Sequence, residues 1–265
     1  MRIQRLNLKK LDNTRDLGGM PTKDGRKIKR GKLIRSGRLY KLPVQTTDAL
    51  KSIGVTTVID MRTDRERLEY PPALIDGVTH VHLPLVCTAT TGITHQKSMA
   101  KTLMSESKRI KEEFGNADNY MTSMYSIILF DDDGKKRLKT FFDYVLKEEG
   151  CLLWCCNAGK DRTGICAMLL EGLLGVDEKL IVEDFAATKR FQRHKRAAQR
   201  FGLFISPIPL RFKHILYAFM DAKPQYIRGA ISQIKEKYGS IENYCKQALG
   251  LTDEDVQFLK DKYLE

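Results

Sequence analysis

Short apolar runs in the first part of the chain predict the strands of a buried sheet. The run from Val55 to Ile59 is rich in β-branched residues and leads into Asp60, which predicts a strand with polar side chains at its carboxyl end. Residues 79–86 predict a second strand, and the apolar run 151–155 follows a glycine and predicts a central one. Ligands of open α/β sheets bind beyond the carboxyl ends of the strands, so the residues that follow these runs are the first site candidates.

Helical periodicity dominates the remainder of the chain. A short helix capped by Thr46 or Thr47 is predicted to run through Ile53. Further helices are predicted over residues 118–128, 137–146 and 163–176, and over most of the chain beyond residue 177. Residues 1–45 mix β-prone stretches with turn signals, which predicts strands or a hairpin at an edge of the sheet.

This order of elements predicts an α/β fold, with a doubly wound sheet flanked by helices and a largely helical C-terminal part. No low-complexity linker divides the 265 residues, and a hydrophobic content of 42% suffices for a sizeable core. We therefore predict a single domain over residues 1–265. The Lys-rich residues 87–117 and the helical residues 178–205 are candidate lid segments over a site.

The charge of the chain favours anionic partners. A formal net charge of +13 concentrates anions, whether nucleic acid, an acidic membrane surface or a phosphorylated substrate. Zinc-finger spacing and RNP-type aromatic patterns are missing, so no nucleic-acid partner is predicted. The basic run from Lys189 to Arg200 is interpreted as a solvated helix face, with transient docking on acidic lipid head groups or on a phosphorylated partner as the alternative.

The sequence predicts a cytoplasmic protein without metal. The first ten residues lack the apolar core of a signal peptide, and no apolar run approaches the roughly 20 residues that a membrane helix needs. Export without a leader is compatible with the same observations. The five histidines show no metal-site spacing. The six cysteines have neither the density of a disulfide scaffold nor paired C-x-x-C spacing; they are Cys87, Cys151, Cys155, Cys156, Cys166 and Cys245.

The segment from Cys156 to Arg162 is the strongest candidate for chemistry. It places an arginine six positions after a cysteine, between a predicted strand and a predicted helix, and no other cysteine of the chain has this spacing. Small residues between them let successive N–H groups turn around an anion. The alternative is a core cysteine, with Gly159 and Gly164 merely turning a strand into a helix. A nucleotide-binding loop is disfavoured because Asp161 stands where that motif requires Ser or Thr.

The composition of this segment suits a phosphate monoester. Loop amides, the positive end of the following helix and the planar Arg162 guanidinium together supply the donors that a phosphate dianion needs. The same groups favour the thiolate form of a cysteine, which is its nucleophilic form. We therefore expect Cys156 to attack phosphorus and form a phosphocysteine, which water then hydrolyses.

Residues 156–164, CNAGKDRTG, resemble the signature loop of the protein-tyrosine-phosphatase superfamily, and specifically its bacterial and fungal tyrosine/serine phosphatase branch with the loop C-x-A-G-K-D-R-T-G. Further motifs of that branch are matched by Asn13-Thr14-Arg15-Asp16-Leu17-Gly18-Gly19, Arg35-Ser36-Gly37, Ile59-Asp60-Met61-Arg62 with Glu66, Leu174-Gly175-Val176-Asp177 and Tyr238-Gly239-Ser240. The resemblance spans nearly the whole chain. It implies a doubly wound phosphatase fold without metal or other cofactor, acting on phosphotyrosine, on phosphoserine or phosphothreonine, and in several members on phosphoinositides.

Carried over by position, the resemblance makes Cys156 the nucleophile, Arg162 the phosphate clamp and Lys160 a second cation that favours further phosphates. Lys160 pointing to solvent is the alternative. Asp161 and Asp60 are both candidates for the general acid, and each could instead pair with a neighbouring arginine. The candidate substrate-binding residues are Asn157, Ala158, Gly159, Lys160, Thr163 and Gly164.

The chain departs from the branch at one position, where Cys155 replaces the histidine that usually precedes the nucleophile. We interpret Cys155 as a packed, inert thiol, with a disulfide to an oxidised Cys156 as the alternative. The predicted function is hydrolysis of phosphotyrosine, extending to phosphoserine and phosphothreonine, with inorganic phosphate as the product. The alternatives are a phosphoinositide phosphatase and a phosphate-binding module without turnover.

Overall fold

The computed structural model describes residue 3 and residues 5–85, 108–206 and 208–265, and within them a five-stranded sheet. The strands are β1 Arg15–Asp16, β2 Leu33–Ser36, β3 Val55–Asp60, β4 Thr79–His82 and β5 Cys151–Cys155. Their spatial order is β1-β2-β5-β3-β4, in which β1 is antiparallel to β2 and all other neighbours are parallel. The last strand in sequence therefore lies at the centre, and its carboxyl end opens onto the same edge as those of β2 and β3.

Helices cover both faces of this sheet. They are α1 Val44–Ile53, α2 Asp64–Glu69, α3 Ala117–Phe130, α4 Asp132–Lys147, α5 Asp161–Leu173, α6 Glu178–Phe191, α7 Arg193–Ile205, α8 Leu210–Met220, α9 Pro224–Tyr238, α10 Ile241–Gln247 and α11 Asp253–Tyr263. Residues 108–114 are also helical. None of the helices in the described residues is long and apolar enough to cross a membrane.

The central strand divides the core into two layers. All five residues of β5 are buried, and alternate side chains join opposite clusters. Trp154 packs with the helices of the larger cluster, where its ring lies 5.7 Å from that of Phe141. Leu153 and Cys155 pack with Leu50 of α1 in the smaller one. Burial on both faces explains why the β5 sequence is a continuous apolar run instead of an alternating one.

The strands and helices predicted from the sequence form, with shifted ends. The first helix begins at Val44 after Pro43, and neither predicted threonine caps it. The Thr46 hydroxyl donates to the Lys9 carbonyl at 2.8 Å, and the Thr47 hydroxyl donates to the Val44 carbonyl at 2.8 Å. The helix predicted from residue 163 begins two residues earlier, at Asp161. The strand predicted over residues 79–86 ends at His82.

The N-terminal residues lie at one edge of the sheet, as expected. The edge strand is β1, which pairs antiparallel with β2, and β2 in turn joins this pair to β5. Of the candidate lid residues, 87–107 lie outside the described residues, whereas 178–205 form α6 and α7. The single domain and the lid remain predictions.

Candidate active site

The loop predicted from the sequence joins β5 to α5 at the carboxyl edge of the sheet. Cys156 directly follows β5 and is 2% exposed, and Asp161 is the first residue of α5. Gly159 turns the loop with a φ of +64°. A Cβ at this position would lie 2.5 Å from the Ser36 carbonyl oxygen, so only glycine lets the loop pack against the end of β2.

Side chains from distant segments hold the outer face of the loop. Asn13 Nδ2 donates to the carbonyl oxygens of Gly159 at 2.7 Å and Ala158 at 3.2 Å. Arg35 Nη2 also donates to the Gly159 carbonyl, at 3.3 Å, and Gln192 Nε2 to that of Ala158, at 2.9 Å. The C=O and N–H groups of one peptide unit point in opposite directions. Because these carbonyls are fixed on the outer face of the loop, the N–H groups point toward its centre, where they can bind an anion.

A buried ion network fixes Arg35 behind the loop. Arg15 Nε donates to Asp184 Oδ1 at 2.6 Å, Arg35 donates to Asp184 Oδ2, and all three side chains are at most 1% exposed. Burial would raise the pKa of Asp184, but the two guanidinium groups hold it below its ordinary value. Burial also lowers the pKa of Arg15 to about 10, with the charge of Arg35 adding to the effect. Removal of one partner would leave an uncompensated buried charge, so this scaffold is strongly interdependent.

Arg162 is held by a bidentate pair with Glu66. Its Nη1 and Nη2 donate to the two carboxylate oxygens at 2.7 and 2.8 Å, and Nη1 also donates to the Met61 carbonyl at 3.1 Å. Burial opposes the charged form of Arg162, but Glu66 and the nearby Cys156 raise its pKa above the ordinary value. Glu66 is itself fixed, because its carboxylate accepts from the backbone N–H of Thr63 at 2.9 Å in a capping box.

Asp161 faces the site with a partner that was not predicted. Tyr125 donates its hydroxyl to Asp161 Oδ1 at 2.5 Å. Burial, together with the charge of Asp161, raises the pKa of Tyr125 well above its ordinary value, so this hydroxyl remains a donor. The Asp161 side chain is 30% exposed and is therefore reachable by a leaving group.

Lys160 is buried, contrary to the alternative in which it points to solvent. Its Nζ donates to the carbonyl oxygens of Phe219 at 2.7 Å and Asp221 at 2.8 Å, and the residue is 2% exposed. The ammonium lies 3.3 Å from Asp161 Oδ1. It thus joins the loop to the end of α8, where a cation also offsets the helix dipole.

Asp60 is committed to Arg62. Nε of Arg62 donates to Asp60 Oδ1 at 2.9 Å and Nη2 donates to Oδ2 at 2.7 Å. Nε of Arg67 lies 3.6 Å from the same carboxylate, whose side chain is 8% exposed. The geometry therefore matches the pairing role that was the alternative to acid catalysis for Asp60.

A cavity of about 370 Å³ opens above the loop. Asn157, Ala158, Lys160 and Asp161 supply its loop wall. Its other lining residues come mainly from α2, from α7 and from the turn before α7; they include Arg65, Glu66, Glu69, Gln192, Lys195, Arg196 and Gln199. Most of these side chains are polar or charged, which suits an anionic ligand.

The structure thus brings most of the predicted residues together and separates a few. Thr163 and Gly164 lie in the first turn of α5, where the Thr163 backbone carbonyl accepts from Trp154 Nε1 at 3.1 Å and a Cβ on Gly164 would meet Phe185 at 3.0 Å. These contacts indicate packing at both positions. Cys155 is buried beside Leu153, and burial raises the pKa of its thiol well above the ordinary value, as expected for a packed, inert residue.

Sequence reasoning missed three contacts around the loop. Tyr125 lies on a helix and Gln192 in the turn before α7, both without a recognisable motif, so no local signal identified them. Glu66 was noted only as part of a motif, and its contact with Arg162 was not foreseen. Among the described residues, no group of three or more His, Cys, Asp or Glu side chains could hold a metal ion.

A cysteine at the end of a central parallel strand, with an arginine six residues later in the first turn of a helix, defines the loop of the cysteine-dependent phosphatases. The chain belongs to the tyrosine phosphatase family, whose family model matches residues 6–265. The predicted family, fold class and enzyme class are confirmed by this match.

Individual relatives agree with the family. A protein of Cupriavidus necator, assigned by name to the tyrosine-protein phosphatases, is 26% identical over 259 residues, which cover 96% of this chain and 86% of that protein. The triple specificity protein phosphatase PtpB of Mycobacterium tuberculosis is 26% identical over 240 residues, which cover 83% of this chain and 87% of PtpB. A crystal structure of a cysteine-to-serine variant of TpbA from P. aeruginosa in complex with pTyr matches 60% of this chain and 70% of its own, at 17% identity and a TM-score of 0.29.

Proposed function

We propose that this protein hydrolyses phosphate monoesters, first of all phosphotyrosine, through a phosphocysteine intermediate at Cys156. The observation that carries the proposal is the loop itself, with outward-facing carbonyls and an arginine held in place by Glu66. A negative charge on Cys156 is among the causes that raise the pKa of Arg162, which requires the two side chains to lie near each other. An attacking sulfur and a bidentate donor for phosphate oxygens are therefore neighbours.

The reaction balances with these residues alone. The Cys156 thiolate attacks phosphorus while the bond from phosphorus to the tyrosine oxygen breaks, and the leaving oxygen takes a proton from Asp161. The carboxylate then takes a proton from water, whose oxygen attacks the phosphocysteine and releases inorganic phosphate and the thiolate. Arg162 and the loop amides stabilise charge on the equatorial oxygens in both steps.

Asp161 is our choice for the general acid. It lines the cavity, whereas Asp60 is paired with Arg62 in a largely buried position. Asp161 also sits at the start of α5, and Tyr125 fixes its carboxyl orientation. A general acid must reach the leaving oxygen, and of the two aspartates Asp161 has the exposure for that contact.

Replacement of Asp161 by asparagine should separate these roles. We expect kcat on a phosphotyrosine peptide to fall by about 10²–10⁴-fold, because general-acid catalysis contributes that much. An aryl phosphate with an acidic phenol needs little protonation of its leaving oxygen and should lose far less. The matched variant Asp60→Asn should lower stability through its broken pair with Arg62 without such leaving-group dependence. If Asp60→Asn shows the leaving-group dependence and Asp161→Asn does not, the assignment is reversed.

The proposal itself is tested with the wild-type protein in chelator-containing buffer. Release of inorganic phosphate is measured from peptides with phosphotyrosine, phosphoserine or phosphothreonine and from phosphoinositides in vesicles. We expect the highest kcat/KM on phosphotyrosine. Binding of a phosphopeptide without any phosphate release would contradict the proposed phosphatase activity and support the alternative of a phosphate-binding module.

Phosphoinositides are a second candidate substrate because α7 carries both basic residues at the cavity and exposed apolar residues. Lys195 and Arg196 of α7 line the cavity. On the same helix, Phe201, Phe204 and Ile205 are 65–72% exposed, as large apolar side chains beside a basic run. This combination suits transient contact with an acidic membrane surface. Higher turnover on vesicle-bound than on soluble head groups, lost in Phe204→Ser, would support it, and equal turnover would contradict it.

A further inference from the structure

A second cavity adjoins the cavity above the loop. Its volume is about 300 Å³, and it shares Arg38, Asn157 and Lys195 with the cavity above the loop. The remaining lining residues are Lys10, Asp12, Tyr40 and Lys41. Four cations and one carboxylate therefore surround it, and neither the phosphocysteine reaction nor the loop motif requires Lys10 or Lys41.

The wall between the two cavities is built from fixed groups. Arg38 Nη1 donates to Asn157 Oδ1 at 2.5 Å, and its guanidinium stacks 3.7 Å from the centre of the Tyr70 ring. The one carboxylate of the second cavity, Asp12, accepts from Lys195 Nζ at 2.7 Å. Asp12 thus offsets the charge of Lys195. The second cavity keeps an excess of three positive charges, from Lys10, Arg38 and Lys41.

Backbone conformation marks the same place. Among the described residues, three that are not glycine have a positive φ: Lys10 at 60°, Asn13 at 58° and Lys41 at 46°. Asn13 holds the catalytic loop, and the other two line the second cavity. Lysine gains nothing in the left-handed region from its side chain, and such conformations concentrate at ligand sites where the surroundings enforce them. The backbone is therefore held in an uncommon conformation at both of these lysines.

We infer that this second cavity binds a second phosphate group on the same phosphopeptide whose phosphotyrosine occupies the catalytic loop. The excess of three cations favours a phosphate dianion over a single carboxylate. The Arg38–Asn157 contact lies between the two cavities, and a peptide backbone can deliver one phosphorylated side chain to each of them. Two phosphates on one inositol ring are the alternative, which the experiment distinguishes from a phosphopeptide.

The inference rests on the proposed function and is tested by the gain that a second phosphate gives, measured as a ratio of kcat/KM values and, independently of turnover, as a ratio of Kd values. Peptides with one phosphotyrosine are compared with the same peptides carrying phosphoserine one, two or three residues away, which an extended chain spaces by about 3.3 Å per residue. In the wild type, the second phosphate should raise kcat/KM about tenfold at one spacing, through KM. In Lys10→Gln/Lys41→Gln this gain should fall below about twofold. Glutamine removes the charge with a polar side chain only one atom shorter, and it meets the same backbone demand.

A matched control removes the same charge elsewhere. Lys51 and Lys147 are exposed at the opposite edge of the sheet, next to the start of β3 and β5, so Lys51→Gln/Lys147→Gln should keep the tenfold gain. Raising the salt concentration should reduce the gain, because the contact is an exposed charge interaction. Equal kcat/KM for the two peptides in the wild type, or an undiminished gain in Lys10→Gln/Lys41→Gln, would overturn the inference.

Two further measurements distinguish a failure of the second-phosphate inference from a failure of the proposed function. The Kd values of both peptides are measured on a Cys156→Ser background, so the second-phosphate gain is visible even if no phosphate is released. If the wild type releases no phosphate but the second phosphate still tightens peptide binding, the proposed function is wrong and the second phosphate site is supported. A gain for soluble inositol bisphosphate that depends on Lys10 and Lys41, without any gain for the peptides, would overturn the assignment to phosphopeptides.

Discussion

Cys156→Ser is expected to reduce phosphate release from a phosphotyrosine peptide by at least about 10³-fold while leaving peptide binding within a few-fold of the wild type. A serine hydroxyl remains protonated where a thiol can ionise, so the attack on phosphorus loses its nucleophile. The phosphate contacts from Arg162 and from the loop amides remain. Release of inorganic phosphate and peptide Kd are measured on the same preparation, because the two quantities should separate.

Another buried cysteine provides the control. Cys245 is 0% exposed and lies in α10, so Cys245→Ser introduces the same buried hydroxyl away from the loop. This variant should lose stability without a selective loss of kcat. Turnover in Cys156→Ser above about a tenth of the wild type would exclude a phosphocysteine at this residue, since removal of a covalent nucleophile costs far more.

Local sequence patterns predicted the central strand and the loop that follows it. The elements whose position depends on pairing between distant segments could not be placed from the sequence. The strand at residues 151–155 could be predicted from consecutive residues, because burial on both faces makes it continuously apolar, and the loop directly follows it in the sequence. The position of β2 could not be read in that way. It pairs with β5, more than a hundred residues away, and nothing within residues 33–36 identifies that partner. Helix ends shifted for a similar reason, as where Thr46 bonds to Lys9 instead of capping its helix.

The site follows the same division. Cys156 and Arg162 were predictable because one segment of seven consecutive residues carries both, together with the turn at Gly159. The groups that position them come from elsewhere: Glu66 from α2 and Asn13 from the N-terminal segment. Such contacts depend on how helices and loops pack, and a single sequence does not contain that information. The choice between two candidate acids likewise became possible only once their exposure could be compared.

Arg162→Lys is expected to lower kcat/KM on the phosphotyrosine peptide by about 10²–10³-fold, the cost typical of losing one transition-state charge donor. Lysine keeps the charge but cannot donate in the bidentate geometry, either to phosphate or to Glu66. The effect should appear in kcat as well as in KM, because charge on the equatorial oxygens grows toward the transition state. Thermal unfolding of the variant is measured alongside, since a weakened buried pair also lowers stability.

A double-mutant cycle with Glu66→Gln shows whether the carboxylate acts through Arg162. Glu66 does not donate to phosphate, so its role is to orient the guanidinium, and Glu66→Gln should cost less than Arg162→Lys. Once Arg162 is lysine, the further change of Glu66 should have little effect on kcat, because the group that it positions is gone. Effects that multiply independently would place the function of Glu66 elsewhere, in the cap of α2 that it forms with Thr63.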